Sequence, residues 1–268
     1  MTVWTLDDRA CRLAVHTSGS GRPILLIHGF PLDHSMWSGQ TPLAERFGLI
    51  APDLRGFGAS EGEGIQSISQ LSDDLASLLA AMGERRPVVV CGLSMGGYVA
   101  QHLVVRHPHI AAGLVLVDTT MEADNDAARA GRAALVERVR REGSSATCEM
   151  VPRLLARSRA NDPEGRAIAA VLESRIRATR PQTIEGALRA LADRPDMTAS
   201  LARLDKPTLA VIGEEDAITP REAMVRIADT MPRARLVVVP GCGHMTPLEN
   251  AAAFNREMAA FVEGLGQA

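Results

Sequence analysis

The fold class predicted for this 268-residue chain is α/β: a mostly parallel, eight-stranded sheet with helices on both faces and a helical segment inserted late in the sheet. Three observations predict it. Six short apolar runs alternate with stretches of helical periodicity, which is how a parallel sheet covered on both faces reads. Two earlier segments alternate apolar and polar residues, as in an antiparallel hairpin. The βα rhythm then stops for about 75 residues and resumes, as expected of an insertion into one domain rather than a second domain.

The hairpin strands fall near Val3–Leu6 and Arg12–Val15. The buried strands are Ile24–Ile27, Leu49–Ala51, Val88–Cys91, Leu114–Val117, Leu209–Ile212 and Leu236–Val239. Between the strands, Ile68, Leu71, Leu75, Leu78, Leu79 and Met82 recur at helical spacing, and another helix follows Gly97 to Arg106. A last helix, from about Leu248 to Val262, turns Phe254, Met258 and Phe261 inward. Residues 121–195 are the expected lid, with helices at Ala127–Glu142, Thr147–Arg157, Pro163–Arg177 and Thr183–Leu191. Residues 1–120 and 196–268 form the expected core. The lid segment has fourteen Arg against eleven acids, which reads as a solvated face, and no Phe, Tyr or Trp.

Composition excludes several functions. A net charge of −3 without a basic stripe argues against nucleic acid. No apolar stretch approaches the roughly 20 residues that span a bilayer, and Asp7, Asp8, Arg9 and Arg12 interrupt any leader-like core. Cys11, Cys91, Cys148 and Cys242 are scattered without a CxxC pair, so neither disulfide nor metal is expected and the location is expected to be cytoplasmic. Lys206 is the one lysine among 29 basic residues, a bias that points to a GC-rich bacterial genome rather than to a mechanism.

The chemistry is carried by Gly92-Leu93-Ser94-Met95-Gly96. G-x-S-x-G arises by chance on the order of 0.1 times in a chain of this composition, so its context decides. Here it closes a strand and opens a helix, the strained turn that lifts a serine to the sheet edge with helix N–H groups facing the reacting oxygen. A serine hydroxyl needs a base. Of seven histidines, His16, His28, His34, His102, His107 and His109 fall in the hairpin, in loops or within the helix after Ser94. Only His244 ends the last strand, at the edge where open α/β sheets gather their catalytic groups. Two acids end strands at that edge, Asp118 and Asp216. The chain order Ser94, Asp216, His244 favours Asp216, with Glu214 and Glu215 beside it.

Over essentially its whole length the sequence resembles the α/β-hydrolase fold family. His28-Gly29-Phe30 resembles the family's oxyanion loop, which implies that the N–H groups of Phe30 and Met95 form the hole. Asp53-Leu54-Arg55-Gly56-Phe57-Gly58-Ala59-Ser60 is similar to its structural D-x-R-G-x-G-x-S turn. Gly213-Glu214-Glu215-Asp216 and Gly243-His244-Met245-Thr246-Pro247-Leu248-Glu249 resemble the group of 3-oxoadipate enol-lactonases, acyl-homoserine lactonases and small esterases. His28-Gly29-Phe30-Pro31-Leu32 with Trp37 also resembles the cofactor-free haloperoxidases, whose perhydrolase chemistry uses the same triad. The resemblance implies a serine hydrolase of small-molecule esters or lactones, without metal or organic cofactor. A non-catalytic binding protein on the same fold is the rival of another class. The expected pocket combines Met121, Met150, Leu154 and Leu155 of the lid with Phe30, Met36, Trp37 and Met245 of the core. Arg153 is the one lid charge to test against a substrate carboxylate, which a bidentate guanidinium suits. Oligomeric state is not legible.

Overall fold

The computed structural model describes residues 1–6, 11–62 and 64–266; the charged run Asp7, Asp8 and Arg9 lies outside them. Eight strands form one sheet in the order β1-β2-β4-β3-β5-β6-β7-β8. They are β1 Thr2–Leu6, β2 Cys11–Ser18, β3 Pro23–Ile27, β4 Gly48–Pro52, β5 Val88–Leu93, β6 Ala111–Val117, β7 Thr208–Gly213 and β8 Ala234–Val239. β1 pairs antiparallel with β2, and β2 with β4; the remaining pairs are parallel. Every residue of β3, β5 and β7 is buried, whereas the edge strands β1 and β8 keep partly exposed residues. That contrast is what covering both faces of the sheet centre requires.

Helices α1 (Ile68–Ala81), α2 (Met95–Arg106), α8 (Arg221–Thr230) and α10 (Ala251–Gly264) flank the sheet, with one-turn α7 (Thr198–Leu201) and α9 (Thr246–Glu249) between them. Ser67 caps α1 by accepting from the Gln70 amide. Leu71, Leu75 and Leu78 of α1 are fully buried, as their spacing predicts. Between β6 and β7 run α3 (Asp126–Glu142), α4 (Val151–Leu154), α5 (Pro163–Ala178) and α6 (Pro181–Ala192). Asn125 and Asp162 cap α3 and α5, and Pro163 opens α5. The Met197 N–H donates to the Met121 carbonyl, tying the two ends of this insertion together.

Two helices differ from expectation. Thr147–Arg157 is not one helix: Ser144–Met150 is a 3₁₀ segment, α4 has four residues, Leu155 is extended, and 3₁₀ turn follows at Arg157–Arg159. Pro152 supplies no N–H to extend a helix through this stretch, and the peptides after it bond to the core. The expected helix Leu248–Val262 is two, because Asn250 leaves helical geometry (φ −142°, ψ 68°) and its side chain caps α10 at the Ala253 N–H. A 3₁₀ stretch at His34–Glu45, capped by Asp33, was not anticipated. The Asp53–Ser60 segment is the structural turn expected. Asp53 accepts from the amides of His34 and Ala59, and the Ser60 hydroxyl donates to the Asp53 carbonyl.

Candidate active site

Ser94 stands alone between the end of β5 and the start of α2. Its backbone holds φ 53° and ψ −113°, a region that costs a non-glycine residue about 1–3 kcal/mol. The glycines two residues to either side explain how so sharp a turn packs. A Cβ on Gly92 would overlap the Gly96 carbonyl, and one on Gly96 would overlap the Ile27 carbonyl. β6 braces the elbow: the Ser94 N–H donates to the Val117 carbonyl (2.9 Å), and the Thr119 hydroxyl donates to the Ser94 carbonyl (2.9 Å). Ser94 is half-buried.

His244 lies in the loop between β8 and α9 and is 2% exposed. Its Nδ1 is 2.9 Å from Oδ2 of Asp216, which follows β7. The other carboxylate oxygen, Oδ1, accepts from the amides of Ile218 (2.7 Å) and Thr219 (3.0 Å). Two peptide donors thus fix the carboxylate and leave Oδ2 for the imidazole. Donation by Nδ1–H leaves Nε2 free to accept a proton. Among the described residues the Ser94 hydroxyl has no hydrogen-bond partner, His244 included; such contacts commonly tighten only with substrate bound.

Asp118, the other acid at the sheet edge, is turned elsewhere. It is fully buried at φ 46°, and its Oδ1 accepts from the Gly213 N–H (2.9 Å). Burial, reinforced by the nearby Asp216 charge, raises its carboxyl well above the usual range. Glu214 accepts from the Gly241 amide, and Glu215 from the amide and hydroxyl of Ser158. Asp216 is therefore the acid that the structure brings to His244.

The loop after β3 lies against the elbow. A Cβ on Gly29 would stand 2.9 Å from the Leu93 side chain and 3.7 Å from Ser94 Cβ. His28 is fully buried, its Nε2 accepting from the Leu54 N–H and its Nδ1 2.9 Å from the Gly29 carbonyl. Burial lowers its pKa, so it acts as a neutral post for the loop. The Gly29 N–H donates to the Met36 sulfur. Neither the Phe30 nor the Met95 amide is among the turn and loop N–H groups that donate to a described acceptor.

The expected pocket residues divide between two packed groups. Phe30 and Met121 belong to the buried cluster that includes Val136 and Val139 of α3. Met36, Trp37, Leu154, Leu155 and Met245 belong to the buried cluster that includes Leu172 and Ile176 of α5, and Met150 packs against both clusters. A cavity of about 230 Å³ opens between the 32–38 loop and α5. Met36 lines it, together with Leu32, Ile168, Leu172 and Leu248, which sequence reasoning did not single out. Arg153 is exposed, and its guanidinium donates to the Ala217 carbonyl (3.0 Å).

Glu249 was missed as well. It is 2% exposed and accepts three backbone N–H bonds. Its sequence signal is its place at the end of the Gly243–Glu249 segment, five residues after His244, which gave it no role of its own. Asp33, His34 and Asp53 bring three potential metal donors within 4.8 Å, the one such group among the described residues. Their bonds to one another, to Ala59 and to Arg175 account for it as part of the turn. Among the described residues no helix is long and apolar enough to cross a membrane.

Residues 24–257 match the alpha/beta hydrolase family. A pimeloyl-(acyl-carrier protein) methyl ester esterase of Chromobacterium violaceum is 30% identical over 255 residues, 94% of this chain and 98% of that one. Its counterpart in Nitrosomonas europaea is 29% identical over 242 residues, covering 86% of this chain and 91% of that one. A thermophilic esterase from Thermogutta terrifontis superimposes with a TM-score of 0.91 at 37% identity, covering 95% of this chain and 94% of the other. With the family matched across the sheet and all three residues at its edge, this chain belongs to the alpha/beta hydrolase family, among relatives of the esterase type.

Proposed function

We propose that this protein hydrolyses carboxylic esters, lactones included, through an acyl-enzyme, with residues 121–195 as a lid over the sheet edge. The observation that carries the reading is the His244 Nδ1–Asp216 Oδ2 hydrogen bond, which leaves Nε2 as a base on the edge where Ser94 stands. His244 takes the Ser94 proton as Oγ attacks the carbonyl carbon. The carbonyl oxygen, now anionic, is met by the N–H groups of Phe30 and Met95 and by the α2 dipole. Collapse of the tetrahedral species breaks the C–O bond, and His244 returns the proton to the departing alcohol. Water then enters, loses a proton to His244, and releases the acid by the same route.

The relatives named for a methyl ester support a small alcohol group, and a lid without aromatic side chains supports an acyl site walled by aliphatic and Met side chains that takes short to medium chains. An apolar wall of Met and Leu discriminates weakly, about 1–3 kcal/mol per methylene, so a broad ester range with a short-chain preference follows. The test is hydrolysis of p-nitrophenyl esters from acetate to decanoate, and of γ-lactones, by wild type and Ser94→Ala. We expect turnover by wild type and a loss on the order of 10⁴-fold or more in the variant. A variant that keeps a tenth of the activity excludes Ser94 as nucleophile.

A further inference from the structure

The lid is not free on the side of the proposed histidine. Residues 153–158 cross the acid and histidine loops and bond to both. Arg153 donates to the Ala217 carbonyl, and Ser158 donates through its amide (3.1 Å) and hydroxyl (2.6 Å) to Glu215. The Met245 N–H donates to the Leu154 carbonyl (3.1 Å). At Gly243 a Cβ would lie 2.5 Å from the Ala156 nitrogen, so the two chains touch with no room for a side chain.

Glu249 stands where these chains meet. Its Oε1 accepts from the amides of Gly243 (2.8 Å) and Met245 (3.3 Å), the two peptides that bracket His244. Its Oε2 accepts from the Ala156 amide (2.7 Å), which belongs to the lid. The backbone on both sides of His244 is thus held by one carboxylate that the lid holds in turn. From this we infer that Glu249 is a positioning residue: through it the lid fixes the backbone of His244, so that Nε2 stays aimed at the Ser94 side while Asp216 sets the ring. The inference rests on the reading of His244 as the base.

Burial holds the Glu249 carboxyl above its usual range even with three N–H donors, the Arg159 charge assisting them. A carboxylate in that position works against stability at neutral pH. Misplacing a reacting group by about 1 Å costs on the order of 100-fold in rate.

Glu249→Gln tests this. Glutamine has one carbonyl oxygen, so its NH₂ must face either the Ala156 N–H or the pair at Gly243 and Met245, donor against donor. We expect kcat for p-nitrophenyl acetate to fall by about 10- to 100-fold with KM within about threefold, and fluorophosphonate labelling of Ser94 to slow in parallel. A lowered Tm with wild-type kcat and labelling overturns the inference, as does a change confined to KM. Ala156→Pro reaches the same link from the lid and carries the test should Glu249→Gln not fold. Ala156 sits at φ −58° after an extended Leu155 (φ −107°, ψ 156°), both compatible with proline. It should show the same kcat loss, and wild-type kcat in it refutes the part assigned to the lid. His244→Ala separates the two layers. Activity in that variant overturns the base, whereas its inactivity beside a wild-type-like Glu249→Gln overturns Glu249 alone.

Discussion

Asp216→Asn is the perturbation whose effect can be worked out atom by atom. Oδ1 of Asp216 accepts from two peptide N–H groups, at Ile218 and Thr219. An asparagine will therefore leave its carbonyl oxygen there, since turning the NH₂ toward those donors would cost two hydrogen bonds, each about 0.5–1.5 kcal/mol, and oppose like groups. The NH₂ then takes the place of Oδ2, 2.9 Å from His244 Nδ1. Facing a donor, Nδ1 becomes the acceptor and the ring proton moves to Nε2, which can no longer take a proton from Ser94. A tautomer change of this kind costs about 10⁴-fold in kcat. Stability should change little, because both peptide bonds to the side chain survive. The assay is kcat for a p-nitrophenyl ester near pH 8, with Tm as the control. Retention of a tenth of wild-type kcat in a folded Asp216→Asn would refute the reasoning, as would a larger loss in Asp118→Asn.

Further outcomes follow from particular contacts. Asp118 has a raised folded-state pKa, so the fold binds its proton more tightly than the unfolded chain does. Its contribution to stability is complete below the unfolded carboxylate value and is lost as pH rises through the folded one. Asp118→Asn should therefore flatten the decline of Tm with rising pH over that window, and an unaltered slope would contradict the assignment. Gly96→Ala places a Cβ against the Ile27 carbonyl; a cost of about 1–3 kcal/mol should lower Tm by roughly 2–4 °C per kcal/mol, and an unchanged Tm would refute the close approach. Arg153→Ala removes a surface bond to Ala217, so the ester chain-length profile should match wild type; a selective loss on acyl groups bearing a carboxylate would instead make Arg153 a substrate contact.

The parts of the fold legible in the sequence are those with a local cause. Val88–Cys91 and Leu209–Ile212 are apolar throughout because both faces of the sheet are covered there, and Ser94 was legible because its flanking glycines admit a turn no other residue pair could. What could not be read depends on contacts between distant segments. Leu155 is extended because its neighbours bond to Met245 and Glu249, more than ninety residues away. The helix break at Asn250 frees that side chain to cap α10 while Glu249 turns into the core. Asp118 and Asp216 end neighbouring strands with the same chemistry. Chain order preferred one, and only the placement of Ile218 and Thr219 shows how it is aimed. For Arg153 the sequence offers no feature that separates a ligand contact from a strap, and the bond to Ala217 is legible only in the structure.

The central claim is that Ser94 is the nucleophile of a metal-independent ester hydrolase, and covalent labelling tests it most directly. A serine-directed fluorophosphonate, added in the presence of a strong chelator, should form one adduct per chain, mapped by peptide mass to Ser94. Hydrolysis of a p-nitrophenyl ester should fall in proportion to the labelled fraction, and chelation alone should leave the rate unchanged. Full labelling with activity intact, an adduct on another residue, or a loss to the chelator that zinc restores would contradict the account.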